Sequence, residues 1–248
     1  VVKEIVIKSI DSKSARKIVE LYHYSGKSTQ NSQIHFGAFL NGRLEGVMQF
    51  GPSIDKRRMA QNLGVGFNET IELNRMAFSD RLPKNSESRS LAIAIKILKK
   101  AYPHLRVIVS FADACQCGDG TIYRASGFKL HSFKKNTSLL KMPNGKIIAD
   151  KALNNSVYEN GRRGTAIAKE NGAVPIDGYQ MKYLYFLDKS LEKKFSFVDF
   201  KDIPESVKMY KGKKRASSKD SVASGVQPEE GGAIPTDALQ KSGVTSGE

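Results

Sequence analysis

Three short stretches in fixed order constrain the fold more than anything else in the chain: Glu72-Leu73-Asn74-Arg75, then Asn85-Ser86-Glu87-Ser88-Arg89, then Ser110-Phe111-Ala112-Asp113. They read as strand, basic loop, helix start, strand, acid. A strand that feeds a helix N-terminus makes an anion cradle, because the first backbone N–H groups of the helix are unpaired and its dipole favours negative charge there. Asn85 is a good N-cap residue. Arg89 falls in the first turn, where the dipole disfavours a cation. It reads either as a cation serving a bound anion or as a solvated arginine on a helix face.

The flanking pattern extends this unit into a mixed fold. Residues 2–10 read as a strand and 11–22 as a helix, with Asp11 or Ser12 as its cap and Ala15, Ile18, Val19 and Tyr22 on one face. Gly26 is a helix stop. Asn41-Gly42 between two apolar runs is a strong hairpin signal, and Gly51-Pro52 ends the second run. Strands are expected at 70–78, 106–111, 128–133 and 179–187, and a helix at 86–101. Gly118 to Ala125 reads as a turn and short helix. Residues 138–178 carry a weak signal, with Gly161-Arg162-Arg163-Gly164 as a basic turn and 165–171 as a short helix. The order predicts an α+β (mixed α/β) fold with a mostly antiparallel central sheet, flanking helices and one βαβ-like crossover. No Gly-x-Gly-x-x-Gly follows the first strand and no Walker loop is present, so the common nucleotide folds are not indicated.

Charge separates the chain into two parts. Its 248 residues carry a net +15, and the stretch after position 210 holds six basic and five acidic residues, so +14 rests on residues 1–210. Such a field attracts nucleic acid or another polyanion, or marks a merely soluble basic protein. Residues 211–248 are rich in Ser, Gly, Lys and Glu and poor in large apolar residues, and are expected to be a disordered tail to a single domain at 1–210. No run is long and apolar enough to span a bilayer, and no signal peptide is visible. Cys115 and Cys117 match neither a redox pair nor a four-ligand zinc site, which fits a reducing, intracellular setting.

Five side chains stand out chemically. His23, at a helix end beside Tyr24 and Gly26, reads as proton shuttle, nucleic-acid contact or metal ligand, or as a residue interacting with the helix dipole. Asp113 closes a strand, where open sheets place ligands, and can accept a proton; it also reads as a loop-capping aspartate, and Asp119 can serve the same turn. Arg75 lies inside an apolar strand and must be paired or face a cleft, with Asp113 as an available partner. Tyr123 follows Gly118-Asp119-Gly120 and can donate a hydrogen bond or stack, or belong to the core.

Together these segments resemble the Mom family of phage DNA-modification proteins, a divergent branch of the GNAT acyltransferase fold. The resemblance covers roughly residues 15–190. It is carried by His23-Tyr24-Ser25, Val47-Met48-Gln49-Phe50-Gly51, Glu72-Leu73-Asn74-Arg75-Met76, Leu82 to Arg89, Ser110-Phe111-Ala112-Asp113, Ile122-Tyr123-Arg124-Ala125 and Lys182-Tyr183-Leu184-Tyr185-Phe186-Leu187. It implies a GNAT-like sheet and transfer of a carbamoylmethyl-type group to N6 of adenine in double-stranded DNA, in the cytoplasm of an infected host, shielding phage DNA from restriction. It places His23, Tyr24, Arg75, Asp113 and Tyr123 in the active site, and Asn85, Ser86, Ser88 and Arg89 at the cofactor. An acyl-CoA such as acetyl-CoA is the implied donor, with a charged tRNA as an alternative, and iron is associated with the family. The chain departs from the family in carrying Cys117-Gly118-Asp119-Gly120 where Gly-His is common, and Phe111 where Tyr is frequent. The alternatives are an ordinary GNAT N-acetyltransferase acting on a small amine or protein, and a non-catalytic basic DNA-binding protein. Oligomeric state and metal ligands are left open.

Overall fold

The computed structural model describes residues 5–154, 163–210 and 213–214. The chain opens with β1 (Ile5–Ser9) and α1 (Ser12–Tyr22). Asp11 caps α1, its Oδ1 accepting from the Ser14 N–H at 2.8 Å. Strands β2 (Ile34–Leu40) and β3 (Arg43–Gly51) are joined at Asn41-Gly42, which take φ of 51° and 80°. Two consecutive positive φ angles are what a type I′ hairpin requires, and this residue pair supplies them at little steric cost.

An unexpected helix, α2 (Lys56–Leu63), follows. Its sequence, Lys-Arg-Arg-Met-Ala-Gln-Asn-Leu, is too polar to show a core stripe. It forms because Asp55 caps its start and Gly64, at φ 60°, ends it. Met59 and Leu63 are enough to seat it on Val107 and Val109. Then come β4 (Thr70–Phe78), α3 (Ser86–Ala101) and β5 (Val107–Asp113). They are followed by α4 (Thr121–Ala125) and β6 (Lys129–Lys135). A small sheet of β7 (Leu139–Lys141), β8 (Ile147–Ala149) and β9 (Val174–Pro175), with α5 (Asp150–Asn154) and α6 (Gly164–Glu170), fills the weak-signal stretch. The expected basic turn at 161–164 lies partly outside the described residues. β10 (Tyr179–Phe186) and α7 (Lys189–Glu192) follow.

The main sheet runs β1-β2-β3-β4-β5-β10-β6. Every neighbouring pair is antiparallel except β4 and β5, which α3 connects as a crossover. This is the mixed α+β architecture expected from the sequence. One face is covered by α3, whose Leu91, Ala94, Ile95 and Leu98 pack on Phe36, Phe50, Leu73 and Ile108. On the other face α1 packs Ala15, Ile18 and Val19 on Val47 and Ala77, and α2 covers Val107 and Val109.

Two irregularities open the middle of the sheet. The parallel pairing of β4 and β5 spans only Thr70↔Val107 to Glu72↔Val109, and both strands run on beyond it. The sheet therefore forks. On the other side of β4 the register with β3 shifts from Gln49↔Arg75 to Phe50↔Leu73, which leaves Asn74 as a bulge. After α7 the chain passes through one-turn 3₁₀ helices at Phe200–Asp202 and Glu205–Val207 to β11 (Met209–Tyr210), which pairs with β12 (Lys213–Lys214). The remainder of the expected disordered tail lies outside the described residues.

Candidate active site

The fork holds a cavity of about 460 Å³. Leu73 to Phe78 of β4 form one wall and Phe111 and Ala112 of β5 another. Tyr22, His23 and Tyr24 come from the end of α1, and Glu87 from the first turn of α3. Cys117 to Tyr123 and Met209 close it.

Arg75 is held by carbonyls. Its Nε donates to the Lys27 carbonyl at 3.1 Å and its Nη1 to the Asn74 carbonyl at 2.7 Å. The Asn74 bulge turns Arg75 onto the α1 side and ties the loop after α1 over β4. In the same seam the Ser32 hydroxyl donates to Asn74 Oδ1 at 3.0 Å, and a side chain at Gly51 would collide with Asn31 and Asn74. The remaining guanidinium donors are available to a carbonyl or anion in the cavity. The expected Arg75–Asp113 pair does not form among the described residues. Divergence of the two strands past Glu72 and Val109 separates the side chains.

Asp113 instead organises its own loop, accepting from the Cys115 N–H at 3.1 Å and from Gln116 Nε2 at 2.8 Å. It borders the cavity rather than lining it, and its charge reaches Tyr24 and Cys117. His23 caps α1 with its N–H on the Val19 carbonyl at 2.9 Å. Its Nδ1 accepts from the Ser25 N–H at 3.2 Å, which places the proton of the neutral ring on Nε2. Burial and then the Arg75 charge push its pKa down to about 4. His23 is thus a neutral hydrogen-bond donor near pH 7.

The other groups also hold their protons. Burial of its hydroxyl end, then Cys117 and Asp113, raise the pKa of Tyr24. Burial pushes the Cys117 thiol up to about 11, with Asp113 adding to it. Burial, opposed by the Ser110 hydroxyl, pushes Tyr123 up to about 12. The cavity is therefore a donor-rich chamber around one guanidinium, suited to a ligand dense in acceptors, with Glu87 as a carboxylate on its wall.

At the start of α3, Asn85 occupies the N-cap position at φ 66° but makes no side-chain cap hydrogen bond. Its left-handed backbone turns the carboxamide away from the N2 and N3 amides. The Ser86 hydroxyl donates to the Pro83 carbonyl, Ser88 Oγ to the Asn85 carbonyl at 3.2 Å, and Arg89 is exposed. These residues do not line the cavity, although their neighbour Glu87 does. Of the first N–H groups of α3, that of Ser86 donates to the Pro83 carbonyl at 3.1 Å, which leaves those of Glu87 and Ser88 without a helical partner.

Sequence reasoning missed the network behind the cavity. Asp119, 2% exposed, accepts from the Met209 N–H at 2.9 Å, Thr121 Oγ1 at 2.9 Å and Arg124 Nη2 at 3.1 Å. Burial pushes its pKa up, but these donors outweigh it and hold the carboxyl below its ordinary value. Arg124 also donates to the Tyr183 hydroxyl at 2.6 Å and lies 3.3 Å over the Phe200 ring. Gly120 takes φ 80°, and a Cβ there would strike the Tyr183 ring. The Gly-Asp-Gly signal was visible in sequence; its partners, up to 90 residues away, were not.

A family-implied iron centre does not fit these donors. No group of three or more His, Cys, Asp or Glu side chains is arranged to hold a metal among the described residues, His23 Nδ1 is engaged by Ser25, and both Asp113 oxygens accept hydrogen bonds.

The site is a donor-rich chamber at the opening of a forked α+β sheet. The profile of the Mom protein family matches residues 4–205. The chain is similar to methylcarbamoylase mom of Escherichia phage Mu, 32% identical over 208 residues that cover 82% of this chain and 83% of that protein. Among solved structures it is similar to an IAA acetyltransferase from Bacillus cereus ATCC 14579, with 13% identity, TM-score 0.43, and coverage of 74% of this chain and 99% of that one. It is also similar to a Bacillus subtilis acetyltransferase in complex with CoA, with 14% identity, TM-score 0.41, and coverage of 74% and 99%. The chain belongs to the Mom protein family. No helix among the described residues is long and apolar enough to cross a membrane.

Proposed function

We propose that the protein is a DNA-modifying transferase that adds a carbamoylmethyl-type group to N6 of adenine in phage DNA, protecting it from restriction in the host cytoplasm. The observation that carries this reading is the gathering of His23, Tyr24, Arg75 and Tyr123, distant in sequence, into one cavity at the fork of the sheet. Membership of the Mom family and the +14 on residues 1–210 support it.

N6 of adenine is a poor nucleophile because its lone pair is delocalised into the ring. The reaction forms a bond from N6 to the carbon of the transferred group, breaks the bond joining that carbon to the donor's leaving group, which departs with the electron pair, and releases one N6 proton. Arg75 and the donors on His23, Tyr24 and Tyr123 meet oxygen or ring-nitrogen acceptors and stabilise charge that develops on them. The proton passes to a carboxylate: Glu87 lines the cavity and Asp113 borders it, while Asp119, also on the lining, is held by Arg124, Thr121 and the Met209 N–H. The base must leave the duplex stack to enter the cavity.

An acyl-CoA is the donor most in keeping with the site. The N–H groups of Glu87 and Ser88 in the first turn of α3, with Ser86 and Arg89 beside them, suit a pyrophosphate, and Asn85 sets the turn that precedes them. When bound, such a thioester supplies an activated acyl carbon. Because a carbamoylmethyl product is not a plain acetyl transfer, a charged tRNA is the second donor to supply in assays. Mass analysis of nucleosides from DNA of cells expressing the chain tests the reading. A modified deoxyadenosine is expected; unmodified adenine together with salt-sensitive DNA binding would favour the non-catalytic alternative.

A further inference from the structure

Phe111 is out of place for a central strand. It lies on β5, between β4 and β10, yet is 45% exposed while Ser110 and Ala112 beside it are buried. The α2 cover over that face reaches Val107 and Val109 and stops short of it. Phe111 nonetheless lines the cavity, and so does Tyr24, which is 52% exposed. The Tyr24 ring is backed by the His23 ring at 4.3 Å and 31°.

The strands on either side of β5 each carry a cation. Arg75 lines the cavity on the β4 side. On the β10 side Lys182 is the register partner of Phe111, so the two side chains leave the sheet together on one face. Lys182 is half-buried and has no carboxylate partner among the described residues. An uncovered ring on a strand between two that carry cations is a poor protein surface but suits a nucleotide, whose base stacks while its phosphate meets the charge.

We propose that Phe111 is the stacking platform for the target adenine at the cavity mouth, and that Lys182 holds a phosphate of the same strand. This deepens the proposed reaction and takes the choice of adenine from it. Binding of the full chain to fluorescent single-stranded oligo(dA), and to an abasic oligonucleotide of equal length, separates the two contacts. Wild type is expected to favour oligo(dA) by about tenfold or more, the scale of base–aromatic stacking. Phe111→Val keeps a strand-forming apolar residue and should abolish that preference, whereas Phe111→Trp should retain it. Lys182→Ala should weaken both ligands alike and lower the salt slope by about one.

Equal affinity of the wild type for the two oligonucleotides, or a preference surviving in Phe111→Val, would overturn the platform. An unchanged salt slope in Lys182→Ala would overturn the phosphate contact. If the wild type modifies adenine while Phe111→Val keeps its base preference, the reaction stands and the platform falls. If base preference depends on Phe111 in a protein that modifies no adenine, the platform stands and the reaction falls.

Discussion

Arg75 shows how one residue can be fixed by backbone alone. Its guanidinium rests on two carbonyls and is not neutralised by an acid among the described residues, so its charge is directed into the cavity. Lysine keeps the charge but not the planar array of donors. Arg75→Lys is therefore expected to fold and to lose about 10²-fold in rate, the scale for losing one preorganised donor at developing charge. Asp113 is a different case. Both its oxygens accept from N–H donors, and an asparagine would turn an amide NH₂ toward one of them. Asp113→Asn should lower stability by about 1–3 kcal/mol in denaturant unfolding, so a fall in its activity must be corrected for lost fold.

Among the elements, the Gly118-Asp119-Gly120 turn is the joint between cavity and C-terminal segment. Removing the Asp119 carboxylate would strand Arg124 beneath Phe200 and release the Met209 N–H. Asp119→Ala should destabilise by about 3 kcal/mol, near the lower end for breaking a buried pair because Arg124 keeps some exposure. Thermal or denaturant melting checks this; an unchanged midpoint would show that the joint is slack. Elements with strong local signals were legible in sequence: the Asn41-Gly42 hairpin, β4 and α3 fall where the pattern put them. α2 was not, because its stability comes from its two caps and a small apolar contact rather than a stripe. Nor was the Asn74 bulge, which depends on the register with β3. Of the candidate residues named from sequence, His23, Tyr24, Arg75 and Tyr123 line the cavity at the fork, while Asp113, Asn85, Ser86, Ser88 and Arg89 do not. The exposed Phe111, the cavity-facing Glu87 and the ties of Asp119 depend on tertiary packing that local pattern does not encode.

For the whole molecule, histidine burial contributes to the acid response above the carboxylate range. His23, His35 and His131 all have pKa values lowered by burial, His23 to about 4 with Arg75 adding to it. Each binds a proton more readily unfolded than folded. Their contribution is complete above the unfolded value near 6.5 and is lost as pH falls from there through the folded values. The melting temperature should thus drop between pH 6.5 and 4, and His23→Asn should flatten part of that slope. A melting temperature flat across this window would contradict the burial seen here.

The account as a whole rests on the claim that the chamber at the fork modifies adenine in DNA. The most direct measurement is a nucleoside digest of DNA from cells expressing wild type or Arg75→Lys, with each protein's melting curve recorded beside it. A modified deoxyadenosine from the wild type, absent or strongly reduced with an equally stable Arg75→Lys, is the predicted result. Wild-type yield from that variant would contradict the claim.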